Sequence, residues 1–120
     1  MLEECLIMMT PEEVIACNYK GIEGSFIHAL HEENYFNPSS FKAYVQAITD
    51  LTPASEDVAL DRTLMEQVFF TYSYILKSIM WHFDMNDRSM IENLPEEQLV
   101  EYVDRLEEVV RRFIRGGSAG

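Results

Sequence analysis

Apolar residues recur every three to four positions along most of the chain, a spacing that predicts α-helices. The first helix begins at Thr10-Pro11-Glu12-Glu13, where Thr10 is a good N-cap and Glu13 completes a capping box. It runs to about Lys20, and Gly21 is a natural stop. Ser25 caps a second helix, which ends at Asn37-Pro38 because a residue before proline avoids the helical region.

Two further helices follow from the same spacing. Pro38-Ser39-Ser40 starts a third helix with an apolar stripe, and residues 51–55 form a loop. The fourth helix runs from about Ala59 to Phe83, and its stripe comprises Leu60, Leu64, Val68, Tyr72, Ile75 and Ile79. Its middle, residues 68–76, is apolar nearly all round, which indicates a central helix buried on most sides.

The last helix begins at Leu94-Pro95-Glu96-Glu97, and its seam comprises Leu99, Val103, Leu106, Val110 and Phe113. Residues 116–120 are expected to form a flexible tail. The connections between the helices are short, so we expect residues 1–115 to form one domain. The predicted fold is all-α: a compact bundle of about five helices with a buried long central helix.

The chain is strongly acidic, with 21 acids, nine Lys and Arg and a formal charge of −12. Nucleic acids and anionic membranes are therefore unfavourable partners, because both need clustered basic residues. Residues 1–60 hold ten acids and only two bases, Lys20 and Lys42. Acids that serve only solubility can be distributed evenly along the chain. A surface that binds a basic protein requires its acids to be concentrated in one region.

Nothing in the sequence predicts secretion or membrane insertion. Residues 1–9 contain two acids and no base, unlike a signal peptide, and the apolar stretch 68–83 is too short and too polar to span a bilayer. We therefore expect a cytoplasmic protein in which Cys5 and Cys17 are reduced.

Only one cluster suggests metal chemistry. His28, His31 and Glu32 are spaced so that one helical face presents all three, although the spacing matches no established zinc motif. The alternative is a polar face without chemistry. No nucleophile signature or phosphate loop is present, so we expect neither an enzyme nor a cofactor.

An aromatic pair, Tyr35-Phe36, follows the acidic pair Glu32-Glu33. Aromatic residues at the edge of a charged patch are typical of binding hot spots. The alternative is that these rings pack in the core and against a neighbouring helix.

This region resembles immunity proteins of bacterial polymorphic-toxin systems, including those of contact-dependent growth inhibition. The similar elements are the Gly24-Ser25-Phe26-Ile27 start, the Leu30-His31-Glu32-Glu33 run and the aromatic pair after it, which together span residues 24–36. The resemblance implies a cytoplasmic protein that binds one cognate toxin and blocks it. Many such toxins are basic nucleases, which suit an acidic inhibitor.

The sequence thus favours an immunity protein that neutralises a toxin with a basic surface. The expected contact residues are Glu23, Glu32, Glu33, Tyr35, Glu56 and Asp57. Two alternatives stay open: a small acidic secretion chaperone or adaptor that binds an effector protein, and a metal-dependent enzyme built on His28, His31 and Glu32.

Overall fold

The structure is a computed structural model that describes residues 9–84 and 90–117. These residues form five α-helices, namely α1 (Pro11–Lys20), α2 (Phe26–Glu32), α3 (Pro38–Asp50), α4 (Arg62–Phe83) and α5 (Leu99–Arg115), with a 3₁₀ helix (Glu96–Gln98) before α5. No strand occurs in the described ranges. The predicted all-α bundle of about five helices is confirmed.

The local signals that start and stop the helices are largely those that the sequence contains. Thr10 and Glu13 form the predicted capping box, and Gly21 ends α1 with a φ of 65°. The Ser25 hydroxyl accepts a hydrogen bond from the His28 amide at 3.1 Å and so caps α2. Asn37 caps α3 in the same way, with Pro38 as its first residue.

Four helices form a ring in which α1 packs against α3 and α4, and α5 packs against the other sides of α3 and α4. The short α2 packs against three of these helices. Side chains from every helix fill the centre, and the most deeply buried include Ile15, Phe26, Tyr44, Ile48, Val68, Leu106 and Phe113. An edge-on aromatic cluster of Phe26, Phe36, Phe41 and Tyr102 joins α2, α3 and α5.

The long helix α4 is less buried than expected. Val68, Thr71 and Ile75 face the core, and the rest of the predicted stripe packs beside them. Phe69, Met80 and Phe83, however, lie on the outer side and are exposed, and Phe70, also exposed, makes an edge contact with Tyr19 of α1. The expectation that α4 is buried on most sides is wrong, because the other helices cover one side of it and leave an apolar outer face.

Two predicted boundaries also differ. The second helix ends at Glu32 rather than near Asn37, because Asn34 adopts a left-handed conformation with a φ of 51° and turns the chain. The predicted tail is not free at its start, since the Gly117 amide donates a hydrogen bond to the Pro53 carbonyl at 2.9 Å. Residues 118–120 lie outside the described ranges.

Gly116 shows why a glycine occupies the end of α5. Its φ is 76°, and a Cβ added there would lie 2.7 Å from the carbonyl oxygen of Ser55. Only glycine permits both this backbone conformation and so close an approach. The end of α5 is therefore fixed to the α3–α4 loop.

Candidate functional site

The predicted contact residues begin with the end of α2, whose apolar side is fixed in the core. Phe26, Ala29 and Leu30 are buried, so His31 and Glu32 on the opposite side are exposed. The buried Asn18 side chain of α1 accepts a hydrogen bond from the Ile27 amide at 3.2 Å. This contact fixes the start of α2 relative to α1 and so determines where the acids at its end point.

Tyr35 is exposed although its backbone is held on both sides. Its amide donates to the Ala29 carbonyl at 3.0 Å. The next residue, Phe36, is buried and exchanges two hydrogen bonds with the Asn93 side chain, at 2.7 and 2.8 Å. The aromatic pair is thus divided: Phe36 belongs to the core, and Tyr35, 42% exposed, remains accessible to a partner.

A line of polar and aromatic groups connects α2 to α4. The Tyr74 hydroxyl and His31 Nδ1 are hydrogen-bonded at 2.8 Å, and His31 Nε2 lies 3.5 Å from a carboxylate oxygen of Glu32. Trp81, two turns further along α4, makes an edge contact with Tyr74 at a centroid distance of 6.0 Å. Partial burial raises the pKa of Tyr74; a hydrogen bond with Ser78 offsets part of this increase, and the Glu32 carboxylate adds to it.

The same groups line a cleft of about 240 Å³ between the end of α2 and α4. Its walls include Leu30, His31, Asn34, Tyr74 and Trp81. We call Glu32, Glu33, Tyr35 and this cleft the α2-end surface. The sequence interpretation missed Tyr74 and Trp81, although their spacing of seven residues indicates one face of a helix.

The structure separates the six predicted contact residues. Glu32, Glu33 and Tyr35 lie together, and Glu23 lies in the α1–α2 loop, about 10 Å away along α2. Glu56 and Asp57 lie in the α3–α4 loop, which leads into the start of α4, about 20 Å along the helix from Tyr74. All six are exposed, but Glu56 and Asp57 do not belong to the α2-end surface.

Few acids pair with a cation inside the described ranges. Ion pairs between two residues of these ranges involve three acids: Glu32 with His31, Glu96 with His82, and Glu108 with Arg105 and Arg112. Glu33, like Glu23, Glu56 and Asp57, has no ion pair within the described ranges. Its charge is therefore not neutralised by this part of the chain.

The possible metal cluster is not assembled. Among residues 9–84 and 90–117, no three His, Cys, Asp or Glu side chains lie close enough together to hold a metal ion. His31 instead contacts Tyr74 and Glu32. The geometry therefore gives no support to the alternative of a metal-dependent enzyme built on His28, His31 and Glu32.

A larger cleft of about 740 Å³ lies between α3 and α5. Phe41, Val45 and Tyr102 contribute its apolar lining, and Lys42 and Arg105 contribute positive charge. It contains none of the predicted contact residues, and its mixed charge does not favour a basic partner.

Within the described residues, none of the helices combines the length and hydrophobicity that a bilayer span requires. Cys17 is half-buried in α1, and Cys5 lies outside the described ranges. The chain matches no protein-family model, no curated protein and no solved structure.

Proposed function

We propose that this chain is an immunity protein that acts in the cytoplasm by binding a cognate toxin domain with a basic surface. The observation that carries the proposal is the α2-end surface, where exposed carboxylates adjoin an exposed tyrosine whose backbone is held on both sides. Preorganised aromatic groups bind with little loss of conformational entropy. The carboxylates of Glu32 and Glu33 then pair with Lys or Arg of the toxin.

Electrostatics supports the same partner. A charge of −12 attracts a basic protein over several ångströms and accelerates their encounter at low salt. A basic nuclease displays the Lys and Arg side chains that hold its nucleic acid, so an acidic protein that covers them blocks the substrate. The described residues offer few cations that would compete for these acids.

The test is a pair of charge reversals, Glu32→Lys with Glu33→Lys. The partner is sought as the C-terminal domain of a large secreted protein encoded next to this chain, and its binding is measured by calorimetry at several NaCl concentrations. We expect the double variant to bind at least about tenfold more weakly, with a smaller salt dependence, because attractive charges have been replaced by repulsive ones.

The matched control is Glu56→Lys with Asp57→Lys, which makes the same change of charge in the α3–α4 loop. We expect a smaller loss from it, since that loop lies outside the α2-end surface. It also tests the sequence prediction that Glu56 and Asp57 contact the toxin. Equal losses from both pairs, or unchanged affinity and salt dependence in the first, would contradict a local role for Glu32 and Glu33.

One observation favours the second candidate, a secretion chaperone or adaptor. Such a protein needs an exposed apolar surface for its effector, and the outer face of α4 carries exposed phenylalanines. The two candidates differ in the chemistry of their partners, since the chaperone binds apolar segments and its affinity does not depend on Glu32 and Glu33.

A further inference from the structure

The outer face of α4 is the most apolar exposed surface in the described part of the chain. Of the eleven large hydrophobic side chains exposed there, five lie on this one helix. Phe69, Met80 and Phe83 are 59%, 68% and 56% exposed, whereas Phe70, 49% exposed, makes an edge contact with Tyr19 of α1 at a centroid distance of 5.3 Å. Phe69, Met80 and Phe83 form a strip on a side of α4 that faces away from the core, and a strip of this kind marks an interaction surface.

The spacing of this strip indicates what covers it. Successive positions along the strip are four, three, four and three residues apart, namely Phe69, Ser73, Leu76, Met80 and Phe83. This is the heptad spacing by which one helix packs along another. The half-buried Met65 extends the strip by one turn towards the start of α4.

Two charged residues on the same face indicate the identity and direction of the second helix. Glu66 and Lys77 are exposed and eleven residues apart, which is three helical turns. The Tyr19 hydroxyl donates a hydrogen bond to Glu66 Oε1 at 3.0 Å, which orients this carboxylate and leaves its second oxygen for a cation. When two copies of α4 lie antiparallel about a two-fold axis near Tyr72, Glu66 of each copy lies opposite Lys77 of the other. A parallel pair would instead place Glu66 beside Glu66 and Lys77 beside Lys77.

The surface is also large enough for a pair. A large hydrophobic side chain buries roughly 150–250 Å², so the three exposed residues of the strip offer roughly 300–450 Å² per copy. Two copies with the neighbouring Met65, Ser73 and Leu76 approach the lower limit of about 1,200 Å² for stable interfaces. Ser73, close to the axis, is small enough to let the helices approach.

We propose that this protein forms a homodimer in which the outer faces of two α4 helices pack antiparallel, with Glu66 of each copy paired to Lys77 of the other. The proposal does not depend on the proposed function, because the cleft of the α2-end surface meets α4 at Tyr74 and Trp81, on a different side of the helix from Phe69 and Met80.

The first experiment measures the mass of the protein by sedimentation velocity across a range of concentrations at 0.15 M NaCl, near physiological ionic strength. The wild-type chain gives a dimer, and Phe69→Ser with Met80→Ser weakens dimerisation at least about tenfold. The control is Ile22→Ser with Val58→Ser, which removes two exposed apolar side chains outside α4 and leaves the dimer intact. Circular dichroism confirms that both variants are folded.

The second experiment tests the register. Lys77→Glu places four acids together at the interface and dissociates the dimer, whereas Lys42→Glu makes the same change of net charge on α3 and does not. Combining Lys77→Glu with Glu66→Lys restores the pairs and the dimer. A monomeric wild-type chain overturns the proposal, and α4 would then be a surface for another protein. A dimer that the α4 variants do not weaken also overturns it. The double variant Glu32→Lys with Glu33→Lys leaves the measured mass unchanged. Failure of the dimer proposal can therefore be distinguished from failure of the proposed function.

Discussion

Individual amide side chains hold the α2-end surface in place. Asn18 is buried in α1, where its side chain donates to the Val14 carbonyl at 2.9 Å and accepts from the Ile27 amide. Asn93 pairs with both backbone groups of Phe36 and so joins residues 57 positions apart in the sequence. Neither role can be read from the sequence, since an asparagine among polar residues carries no information on its distant partner.

We expect Asn93→Ala to destabilise the fold by about 2 kcal/mol, because the Phe36 amide and carbonyl lose their partner in a partly buried place. Asn93→Asp keeps an acceptor for the amide but sets a carboxylate oxygen against the Phe36 carbonyl oxygen, so we expect it to destabilise the fold at least as much as Asn93→Ala. The measurement is urea unfolding. Gln46→Ala serves as control, since it removes an exposed hydrogen bond to Asp50 and changes stability by only about 0.5 kcal/mol or less. An Asn93→Ala variant as stable as this control would show that Asn93 does not hold the loop.

At the scale of elements, the positions of helices were predictable where the signal is local. The capping box at Thr10, the Ser25 cap and the stop at Gly21 each depend on a few neighbouring residues, and all are confirmed. The start of α4 is different. The sequence placed it near Ala59, but the helix begins at Arg62 because the Asp61 carboxylate accepts hydrogen bonds from the amides of Thr63 and Leu64.

The cap of α4 gives a second prediction. Asp61→Ala should lower the free energy of unfolding by about 1 kcal/mol, because the first amides of the helix lose their acceptor. Asp61→Asn keeps an acceptor and restores most of this loss. Asp57→Ala removes the same charge from the exposed α3–α4 loop, where it caps no helix, so it separates capping from net charge. If Asp57→Ala and Asp61→Ala change stability equally in thermal unfolding, net charge rather than capping is responsible.

The burial of α4 could not be predicted because burial depends on the other helices. An apolar circumference usually means that a helix is covered on most sides. Here α1, α2 and α5 cover one side, and the sequence contains no local sign of which side is left open. The hydrophobic residues of the outer face were correctly recognised as helical, but their exposure follows from the arrangement of the bundle.

At the scale of the whole molecule, the candidate site depends on contacts between distant residues. The acids and Tyr35 were identifiable from composition and local pattern. The hydrogen bond between His31 and Tyr74 spans 43 positions, and helical periodicity does not specify which residues of two helices meet. For the same reason, the six predicted contact residues do not form one patch: three lie at the end of α2, Glu23 lies in the α1–α2 loop, and Glu56 and Asp57 lie before the start of α4.

The net charge of −12 also affects the whole molecule, because folding brings the acids closer together. Ion pairs between two residues of the described ranges involve three acids, and two of these pairs are with histidines that are charged only when protonated. Repulsion among the remaining carboxylates therefore opposes the compact state. Salt screens this repulsion more effectively than it weakens the few attractive pairs, so the folded state should gain stability as ionic strength rises.

We accordingly expect the Tm at neutral pH to rise by about 5 °C between about 10 and 200 mM NaCl, which corresponds to roughly 1 kcal/mol for a domain of this size. Differential scanning calorimetry measures this shift. Screening also favours the association of two acidic chains, so the same series is run on Phe69→Ser with Met80→Ser, where the α4 interface is weakened. A similar rise in that variant places the repulsion within each chain, whereas a rise that disappears with the interface places it between chains. A Tm that falls with added salt would mean that the carboxylates are held by attractive pairs, and the acids would then be poorly suited to bind a basic partner.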